Sequence, residues 1–349
     1  MFGYNNFFLQ EDLVRISEGF KWSVFENKNV LITGANGHIA SYLAFAFAFA
    51  VEHKELNAKI IVVSRDKERL ERLYKPFWGK EWFNILAADV CEVSIQGLEV
   101  DYIFHFAGNA SPYFIANDPV GILRANIVGV FNIAEIARRN LGSKIVYAST
   151  REVYGENKSD RKLTETSFGN LDPLDPRSCY PESKRAAETV LEAYRRQYGI
   201  RYGIARVAHC YGPGMKLAND GRVMSDFLND ALNHQDIVLN SDGGALRAFC
   251  YISDVIIGLL IIASHESDND VYNLSNETEE ISILDLAKTI ALIIPNINIS
   301  IESKVIDSAV YCNYKRKPLD CSKLIELGWY PQIALKEGLE WTIKSFEKL

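Results

Sequence analysis

The sequence predicts an α/β fold, a doubly wound parallel sheet with a smaller C-terminal lobe, on three observations. First, near-continuous apolar stretches alternate with helical patterns, as in a parallel sheet covered by helices on both faces. Second, a glycine-containing turn follows the first stretch and opens a helix. Third, the pattern becomes shorter and more broken after the sixth stretch, which indicates the second lobe. The strands are predicted at 29–33, 59–65, 84–90, 101–108, 144–150 and 202–214.

The turn after the first strand has the composition of a dinucleotide-binding loop. In TGANGHIA, two glycines directly follow the strand. Glycine lets the backbone approach a pyrophosphate, and the helix N-terminus offers free N–H groups to the anion. We therefore predict tightly bound NAD+ or NADP+. The expected binding residues are Gly34, Asn36, Gly37, His38 and Ile39 in the loop, Asp89 and Val90 beside the adenine, and Ala107 and Gly108 under the dinucleotide.

The end of the second strand bears on which dinucleotide binds. An acidic side chain there bonds the ribose hydroxyls of NAD+ and repels a 2′-phosphate. Here the strand ends in Ser64 and Arg65, which suit a phosphate, and Asp66 comes one position late. The pattern favours NADP+ and leaves NAD+ open. The alternative for Arg65 is a solvated surface charge.

These patterns divide the 349 residues into three parts. Residues 1–28 are an N-terminal extension that contains a short amphipathic helix at 9–26, and no function is predicted for this extension. Residues 29–210 are a NAD(P)-binding domain of the Rossmann type. Residues 211–349 are the substrate-binding lobe, some of whose segments are expected to return to the Rossmann domain.

Composition argues against other classes of protein. A net charge of −7 disfavours a general nucleic-acid binder. The longest apolar run, at 42–51, is about half the length that spans a bilayer, so no membrane segment is expected. The six cysteines show no CxxC pair and no metal-ligand spacing, so they are interpreted as reduced, mostly buried thiols of a cytoplasmic protein without a metal site.

A candidate catalytic group comes after the cofactor pattern. Tyr180 and Lys184 are four residues apart and share one helix face. A lysine ammonium beside a phenol lowers the pKa of that phenol, which would make Tyr180 a usable base near neutral pH. Thr150 ends the fifth strand, where its hydroxyl can bond the same substrate hydroxyl. The alternative is that the Tyr–Lys spacing arose by chance.

Five stretches then carry a resemblance to a known family: STREVYG, DPRSCYPESKRAAE, NDGRVMSDFL, LRAFCYISD and KRKPLDCSKLIELGW. From about residue 28 to its C-terminus the chain resembles the extended short-chain dehydrogenases/reductases of the NAD-dependent epimerase/dehydratase family. Within that family it is most similar to the UDP-glucuronate decarboxylases, also called UDP-xylose synthases. The resemblance also implies a homodimer that forms through the helices at roughly 120–140 and 180–198.

The resemblance implies a redox cycle at C4 of a nucleotide-diphosphate sugar, with UDP as the default nucleotide. Tyr180 would take the C4 hydroxyl proton while hydride passes to the cofactor, and the resulting β-keto acid would lose carbon dioxide. A C4 epimerase and a 4,6-dehydratase stay open. A non-catalytic dinucleotide sensor and a cofactor-exchanging reductase are alternatives of other classes. The resemblance adds Glu152 as a catalytic residue and Arg222, Arg247 and Arg316 as substrate-binding residues, each arginine with a surface ion pair as its alternative.

Arg151 departs from the family pattern, because the dehydratases carry an aspartate there and the decarboxylases usually a serine. A guanidinium keeps its proton at any working pH, so dehydration by the usual route is disfavoured. Arg151 is expected to hold Glu152 ionised if the two are close. It either binds an anionic group of the sugar, such as a C6 carboxylate, or turns outward to pair with an acid on a neighbouring loop. A cation fixed on that carboxylate would oppose decarboxylation, since it stabilises the charge that the reaction disperses.

Two other departures concern recognition of the substrate. His209 stands where the family commonly has asparagine, and Gly214 where the decarboxylases have arginine. His209 is expected either to bond the diphosphate or sugar, or to be a buried, satisfied ring. Gly214 leaves the identity of the base and the sugar open.

Overall fold

The structure is a computed structural model that describes residues 3–95, 97, 99–267, 269–302 and 316–347. The helices are α1 (Phe7–Glu18), α2 (His38–His53), α3 (Lys67–Leu73), α4 (Pro112–Asn117), α5 (Pro119–Arg139), α6 (Cys179–Tyr198), α7 (Val223–Leu232), α8 (Ile252–Ser264), α9 (Ile283–Ile293), α10 (Ser322–Ile325) and α11 (Leu335–Glu347). Short 3-10 helices lie at Trp22–Phe25, Lys75–Phe77, Arg151–Tyr154 and Pro176–Ser178. The strands are β1 (Lys28–Thr33), β2 (Ala58–Ser64), β3 (Phe83–Ala87), β4 (Tyr102–His105), β5 (Lys144–Thr150), β6 (Arg201–Val207), β7 (Cys210–Tyr211), β8 (Ile237–Leu239), β9 (Leu246–Ala248), β10 (Cys250–Tyr251), β11 (Asp270–Leu274), β12 (Glu280–Ser282) and β13 (Ile299–Ile301).

A parallel sheet of seven strands forms the centre of the protein, in the order β11-β6-β5-β4-β1-β2-β3. The chain runs outward from β1 through β2 to β3 and then crosses to β4 on the other side of β1. The strand order therefore reverses between β1 and β4, which is where doubly wound sheets bind their ligands. The predicted fold class is confirmed.

Alternate side chains of the strands face two different cores. Val30 and Ile32 of β1 pack in one apolar cluster with α2 and α8, and Leu31 packs in the other with α5 and α6. By length and composition α5 is apolar enough to cross a bilayer, but it packs against α6 and the sheet. Strands buried on both faces explain the near-continuous apolar runs in the sequence.

Segments beyond residue 211 lie both in the central sheet and outside it. Strand β11 pairs with β6 in the central sheet, and α8 packs against β5 and β6. The pairs β9–β12 and β8–β13 lie outside that sheet, together with α7 and α9. Strand β11 was not predicted, because its five residues carry too few apolar positions to stand out.

Among the described cysteines all thiols are free, and three of them are only half-buried, so "mostly buried" was too strong. The described cysteines are Cys91, Cys179, Cys210, Cys250 and Cys321, and Cys312 lies outside the described residues.

The N-terminal extension is built into the core. The predicted helix at 9–26 is instead α1 followed by a 3-10 helix, and Asn6 caps α1 by accepting from the N–H groups of Phe8 and Leu9. Helix α1 packs on α2 and α8. The ring centroids of Trp22 and Phe25 lie 5.3 Å and 4.9 Å from that of Phe47 in α2. The extension therefore covers the apolar surface of the helix that opens the cofactor loop.

A buried carboxylate joins the extension to the two lobes. Asp12 of α1 is 2% exposed, and its Oδ2 accepts from the hydroxyls of Tyr42 and Tyr251, each at 3.0 Å. Tyr42 belongs to α2 and Tyr251 to β10. Burial raises the pKa of Asp12 to about 7, although these hydrogen bonds and the charge of Arg15 oppose the shift.

The pKa of Asp12 predicts a pH dependence of stability. Because this pKa is raised on folding, the native state binds more protons than the unfolded chain between about pH 4 and pH 7, and the free energy of unfolding falls as the pH rises through that window. Asp12→Asn keeps an acceptor oxygen but cannot ionise. Urea titrations should therefore show the variant gaining stability relative to the natural protein from pH 5 to pH 8.

Asp12→Ala is the companion variant, because it leaves two buried hydroxyls without their acceptor. We expect it to lose about 1–3 kcal/mol of unfolding free energy. A stability difference between Asp12→Asn and the natural protein that does not change with pH would contradict the assignment of this titration to Asp12.

Candidate active site

The glycine turn lies where the strand order reverses. Gly34 has a φ of +69°, and a Cβ on it would lie 2.7 Å from the backbone nitrogen of Ala107, so no other residue fits. Gly37 caps α2, and its N–H donates to the Gly34 carbonyl at 2.8 Å. The turn after β1 thus touches the chain after β4 and leaves the N-terminus of α2 facing the crevice.

Gly108 and Asn36 complete the cradle around this turn. Gly108 has a φ of +141°, and a Cβ there would lie 2.3 Å from Asn126 Oδ1. Asn36 donates to the Asp66 carbonyl at 3.0 Å, and its buried Oδ1 has no partner within the described part of the chain. This cradle fits a dinucleotide, whose phosphates and ribose hydroxyls suit free N–H groups and an unmatched acceptor.

Three of the predicted cofactor residues mainly support the loop. The His38 Nε2 bonds the Pro213 carbonyl at 2.9 Å, and burial lowers the pKa of His38 to about 4, so the neutral ring donates this bond. Its side chain therefore joins α2 to the second lobe, and contact with the cofactor stays a prediction. Val90 is buried against Gly129 of α5, and Ile39 packs against the main core.

The residues that bear on cofactor choice lie at the ends of β2 and β3. The Arg65 side chain is 63% exposed, and its Nη1 lies 4.0 Å from Asp89 Oδ2. Ser64 is half-buried beside it. A hydrogen bond from the Cys91 N–H, together with the Arg65 charge, holds the pKa of Asp89 below its usual range, although burial opposes the shift. The exposed Arg65 guanidinium and the ionised Asp89 carboxylate therefore lie next to each other at the rim of the predicted cofactor site.

The structure brings three of the four candidate catalytic residues together. Thr150 ends β5, and Tyr180 and Lys184 lie on α6, which packs against β5. Lys184 Nζ donates to the Ala148 carbonyl at 2.8 Å and lies 4.7 Å from the centroid of the Tyr147 ring. All three residues are buried at the carboxyl end of the sheet.

The predicted lowering of the Tyr180 pKa is wrong for this structure. Burial raises the pKa of Tyr180 to about 12, and the charge of Glu152 adds to the rise. Lys184 is directed at a backbone carbonyl, and burial lowers its own pKa to about 7 against the opposing charge of Glu188. Desolvation is the largest cause of both pKa shifts, because both side chains are buried.

Arginines surround the carboxylate of Glu152. Its Oε1 accepts from Arg177 Nη2 at 2.6 Å and from Arg316 Nη2 at 3.2 Å. Burial alone would raise the pKa of Glu152, but the charges of Arg316, Arg177 and Arg151 hold that pKa below its usual value. The prediction that Arg151 helps to keep Glu152 ionised is confirmed, with Arg151 acting more weakly than the other two.

Arg151 itself does not turn outward. It is 9% exposed, and its Nη2 donates to the backbone carbonyl of Lys317. The outward turn is therefore wrong, because this side chain is anchored in the protein, whereas a pair with an acid on a neighbouring loop stays a prediction. Its contact with an anionic group of the sugar stays a prediction.

His209 holds Arg316. The Arg316 Nη1 lies 3.1 Å from His209 Nε2, and since a guanidinium can only donate, the imidazole nitrogen accepts. Burial and then the Arg316 charge keep the pKa of His209 well below 6.5, which fits a neutral ring. Its φ of +43° ends the predicted strand at 202–214, which divides into β6 and β7. The satisfied-ring alternative fits this geometry, and contact with the substrate stays a prediction.

The remaining predicted arginines lie apart from Glu152. Arg222 is half-exposed and forms a two-pronged pair with buried Asp220, with Nε–Oδ2 at 2.7 Å and Nη2–Oδ1 at 3.1 Å. Arg247 on β9 donates to the Leu246 carbonyl at 2.7 Å. The ion-pair alternative therefore holds for Arg222, whose charge nevertheless lowers the pKa values of Tyr180 and His209.

Arg177 is the site residue that sequence reasoning missed. It lies three residues before Tyr180, in the 3-10 helix that leads into α6, and it is 9% exposed. The signal was present, because an arginine one turn ahead of a catalytic tyrosine has to lie near the same site.

A dinucleotide cradle beside a tyrosine, a lysine and a threonine defines a nicotinamide-dependent enzyme of the short-chain dehydrogenase class. The family model described as "NAD dependent epimerase/dehydratase family" matches residues 30–275. The chain belongs to that family, which confirms the resemblance seen in the sequence.

Curated relatives and solved structures agree with this assignment. UDP-glucuronic acid decarboxylase 3 from Arabidopsis thaliana is 37% identical and covers 92% of this chain and 89% of its own length. UDP-glucuronic acid decarboxylase 1 from Xenopus tropicalis is 34% identical, and the match covers 93% of this chain and 73% of the length of that relative. The UDP-glucose 4-epimerase from Thermotoga maritima, solved with UDP-glucose, is 25% identical to this chain. The match covers 92% of this chain and 99% of the epimerase, and the two structures superpose with a TM-score of 0.77.

Proposed function

We propose that this enzyme is a UDP-glucuronate decarboxylase that works through oxidation at C4 of the sugar. The observation that carries the proposal is the cationic cluster around Glu152, next to Tyr180 and Thr150. Three arginines, of which Arg151 and Arg177 are buried and Arg316 is 13% exposed, act on the carboxylate of Glu152, and such a cationic cluster suits an acidic sugar better than a neutral one. The names of the curated relatives support the same substrate.

When bound, the oxidised dinucleotide supplies a hydride acceptor and a positive charge beside the sugar. Thr150 holds the C4 hydroxyl, and Tyr180 removes its proton. The raised pKa of Tyr180 means that this transfer needs a cation nearby. Lys184, fixed by the Ala148 carbonyl, orients the same end of the site.

Glu152 and the arginines govern the step after oxidation. A ketone at C4 makes the C5 carboxylate part of a β-keto acid, which loses carbon dioxide and leaves the electron pair as an enolate. That enolate takes a proton from water at C5, and return of the hydride and of the proton held by Tyr180 would restore the C4 hydroxyl. Glu152 stays ionised, so it serves as an acceptor that positions a hydroxyl or water near C5 and does not deliver a proton. Arg151 cannot protonate a leaving C6 hydroxyl, which disfavours dehydration.

Epimerisation of the uronate at C4 is the second candidate, and Arg151 is the observation that favours it. A cation held against the sugar carboxylate stabilises the charge that decarboxylation must disperse. The anchoring of Arg151 to the Lys317 carbonyl draws the guanidinium toward the protein backbone, and we therefore place decarboxylation first.

The decisive assay is mass spectrometry of products formed from UDP-glucuronate, with UDP-glucose and UDP-N-acetylglucosamine in parallel. We expect the uronate to lose carbon dioxide and the neutral sugars to stay unchanged. Tyr180→Phe should lower turnover by roughly a hundredfold or more, because it removes the acid–base group. Tyr330→Phe, at an exposed tyrosine outside the site, is the matched control.

Two outcomes would overturn parts of the proposal. Loss of water from a neutral sugar would contradict the exclusion of dehydration by Arg151. A uronate of unchanged mass whose NMR spectrum shows an inverted C4 would establish the epimerase instead.

We infer a preference for NADP+ from Ser64 and from the exposed Arg65 at the rim. A guanidinium bonded to the 2′-phosphate makes a charge-assisted contact, so Arg65→Ala should weaken NADP+ binding about tenfold or more and leave NAD+ binding unchanged. Calorimetric titration measures both affinities, with exposed Arg69→Ala in α3 as the control. Equal or tighter binding of NAD+ by the natural protein would show that Asp89, 4.0 Å from Arg65, neutralises the arginine.

We also propose a homodimer formed through α5 and α6. One face of α5 exposes apolar side chains, and α6 adds Tyr198 beside it; the α5 side chains are Val120, Leu123, Val128 and Phe131. Val128→Glu with Phe131→Glu should convert a dimer into a monomer in sedimentation velocity. Leu292→Glu changes an equally apolar, more exposed side chain on α9 and should leave the dimer intact. A natural protein that sediments as a monomer would contradict this.

A further inference from the structure

The carboxylate of Glu152 is held through one oxygen. Oε1 accepts from both Arg177 and Arg316, whereas Oε2 accepts no hydrogen bond from any of the residues that the structure describes. Ionised groups this deeply buried normally use their bonding capacity. Among the charges that act on the Tyr180 phenol, that of Glu152 is the largest, so the two side chains are neighbours. Oε2 is therefore an acceptor that remains available to a ligand bound beside Tyr180.

The two arginines on Oε1 are attached to different parts of the fold. Arg177 precedes Tyr180 by three residues, and its own N–H is fixed by the Asp175 side chain at 2.8 Å. It is therefore rigidly connected to the helix that carries the catalytic tyrosine. Arg316 comes from the C-terminal part of the chain and shares its guanidinium between Glu152 and His209. Arg177 is the shorter contact, 2.6 Å against 3.2 Å.

The division of charge between these arginines has a consequence for the substrate. With Arg177 in place, Glu152 has a full counter-charge from its own lobe. Arg316 then retains positive charge that an acidic sugar can use. Without Arg177, the carboxylate would depend on Arg316, which would be drawn toward Glu152 and away from the substrate.

We propose that Arg177 is a positioning residue: by holding Oε1 of Glu152 it keeps this carboxylate ionised, aims Oε2 at the sugar, and leaves Arg316 to the substrate. This inference rests on the proposed function for the identity of the sugar. It assigns to Arg177 no contact with the reacting atoms.

The first test follows turnover of UDP-glucuronate by the cofactor-loaded enzyme from pH 5 to pH 9. Arg177→Gln should lower kcat roughly ten- to a hundredfold, because it misplaces a group at the reacting centre. Its acid limb should move to higher pH, since Glu152 then protonates more easily. Arg177→Lys should restore most of the activity. In the Glu152→Gln background, Arg177→Gln should lower kcat only a little further. A loss of kcat in Arg177→Gln that is the same at every pH, and that adds to the loss caused by Glu152→Gln, would show a merely structural role and overturn the proposal.

The second test needs no substrate, so it separates failure of this inference from failure of the proposed function. Urea titrations at several pH values compare the natural protein, Arg177→Gln, Glu152→Gln and the double variant. Since Arg177 lowers the pKa of Glu152 in the folded state, the stability lost in Arg177→Gln should grow as the pH rises from about 4 to 6. In the Glu152→Gln background the loss should not vary with pH. The same variation in both backgrounds would overturn the proposal even if the enzyme decarboxylates the uronate.

Discussion

The turn after β1 lies so close to the chain after β4 that only a glycine fits at position 34. This contact between Gly34 and Ala107 sets the geometry of the whole site. It fixes the end of β1 against the end of β4 and leaves the N-terminus of α2 facing the crevice. Strand β4 pairs in parallel with both β1 and β5, so the carboxyl end of β5, at Thr150, lies at the same edge of the sheet. Helix α6 packs on α5 and brings Tyr180 and Lys184 to the same edge.

Electrostatics sets the protonation states of the site around Glu152. The arginines around Glu152 hold a buried carboxylate ionised where desolvation alone would neutralise it. Burial, and then the charges of the same arginines, lowers the pKa of His209, so its ring is neutral and can accept from Arg316. Arg151 adds its charge from behind, through an anchor on the Lys317 carbonyl. The protonation states in this cluster are thus set jointly, and a change at one arginine alters the others.

The sequence was sufficient for the features that depend on local pattern. Apolar runs located six of the seven strands of the sheet, and the glycine turn located the cofactor loop, because both depend on neighbours along the chain. Contacts between distant segments were out of reach. The bond from His38 to Pro213 and the bond from Arg151 to Lys317 join positions far apart in the sequence. The pKa of Tyr180 was misjudged for a related reason: spacing shows that a lysine is near, but not how completely water is excluded.

The N-terminal extension also protects helix α2 from aggregation. Helix α2 is buried on every side from Ala40 to Ala50, which a helix packed on one sheet face does not reach without a second cover. Tyr4, Trp22 and Phe25 supply that cover by packing on Phe45 and Phe47. A polar side chain in either segment would therefore be buried against the aromatic rings of the other. Release of the extension would expose an alternating Phe-Ala surface to water, and aggregation would then compete with its return.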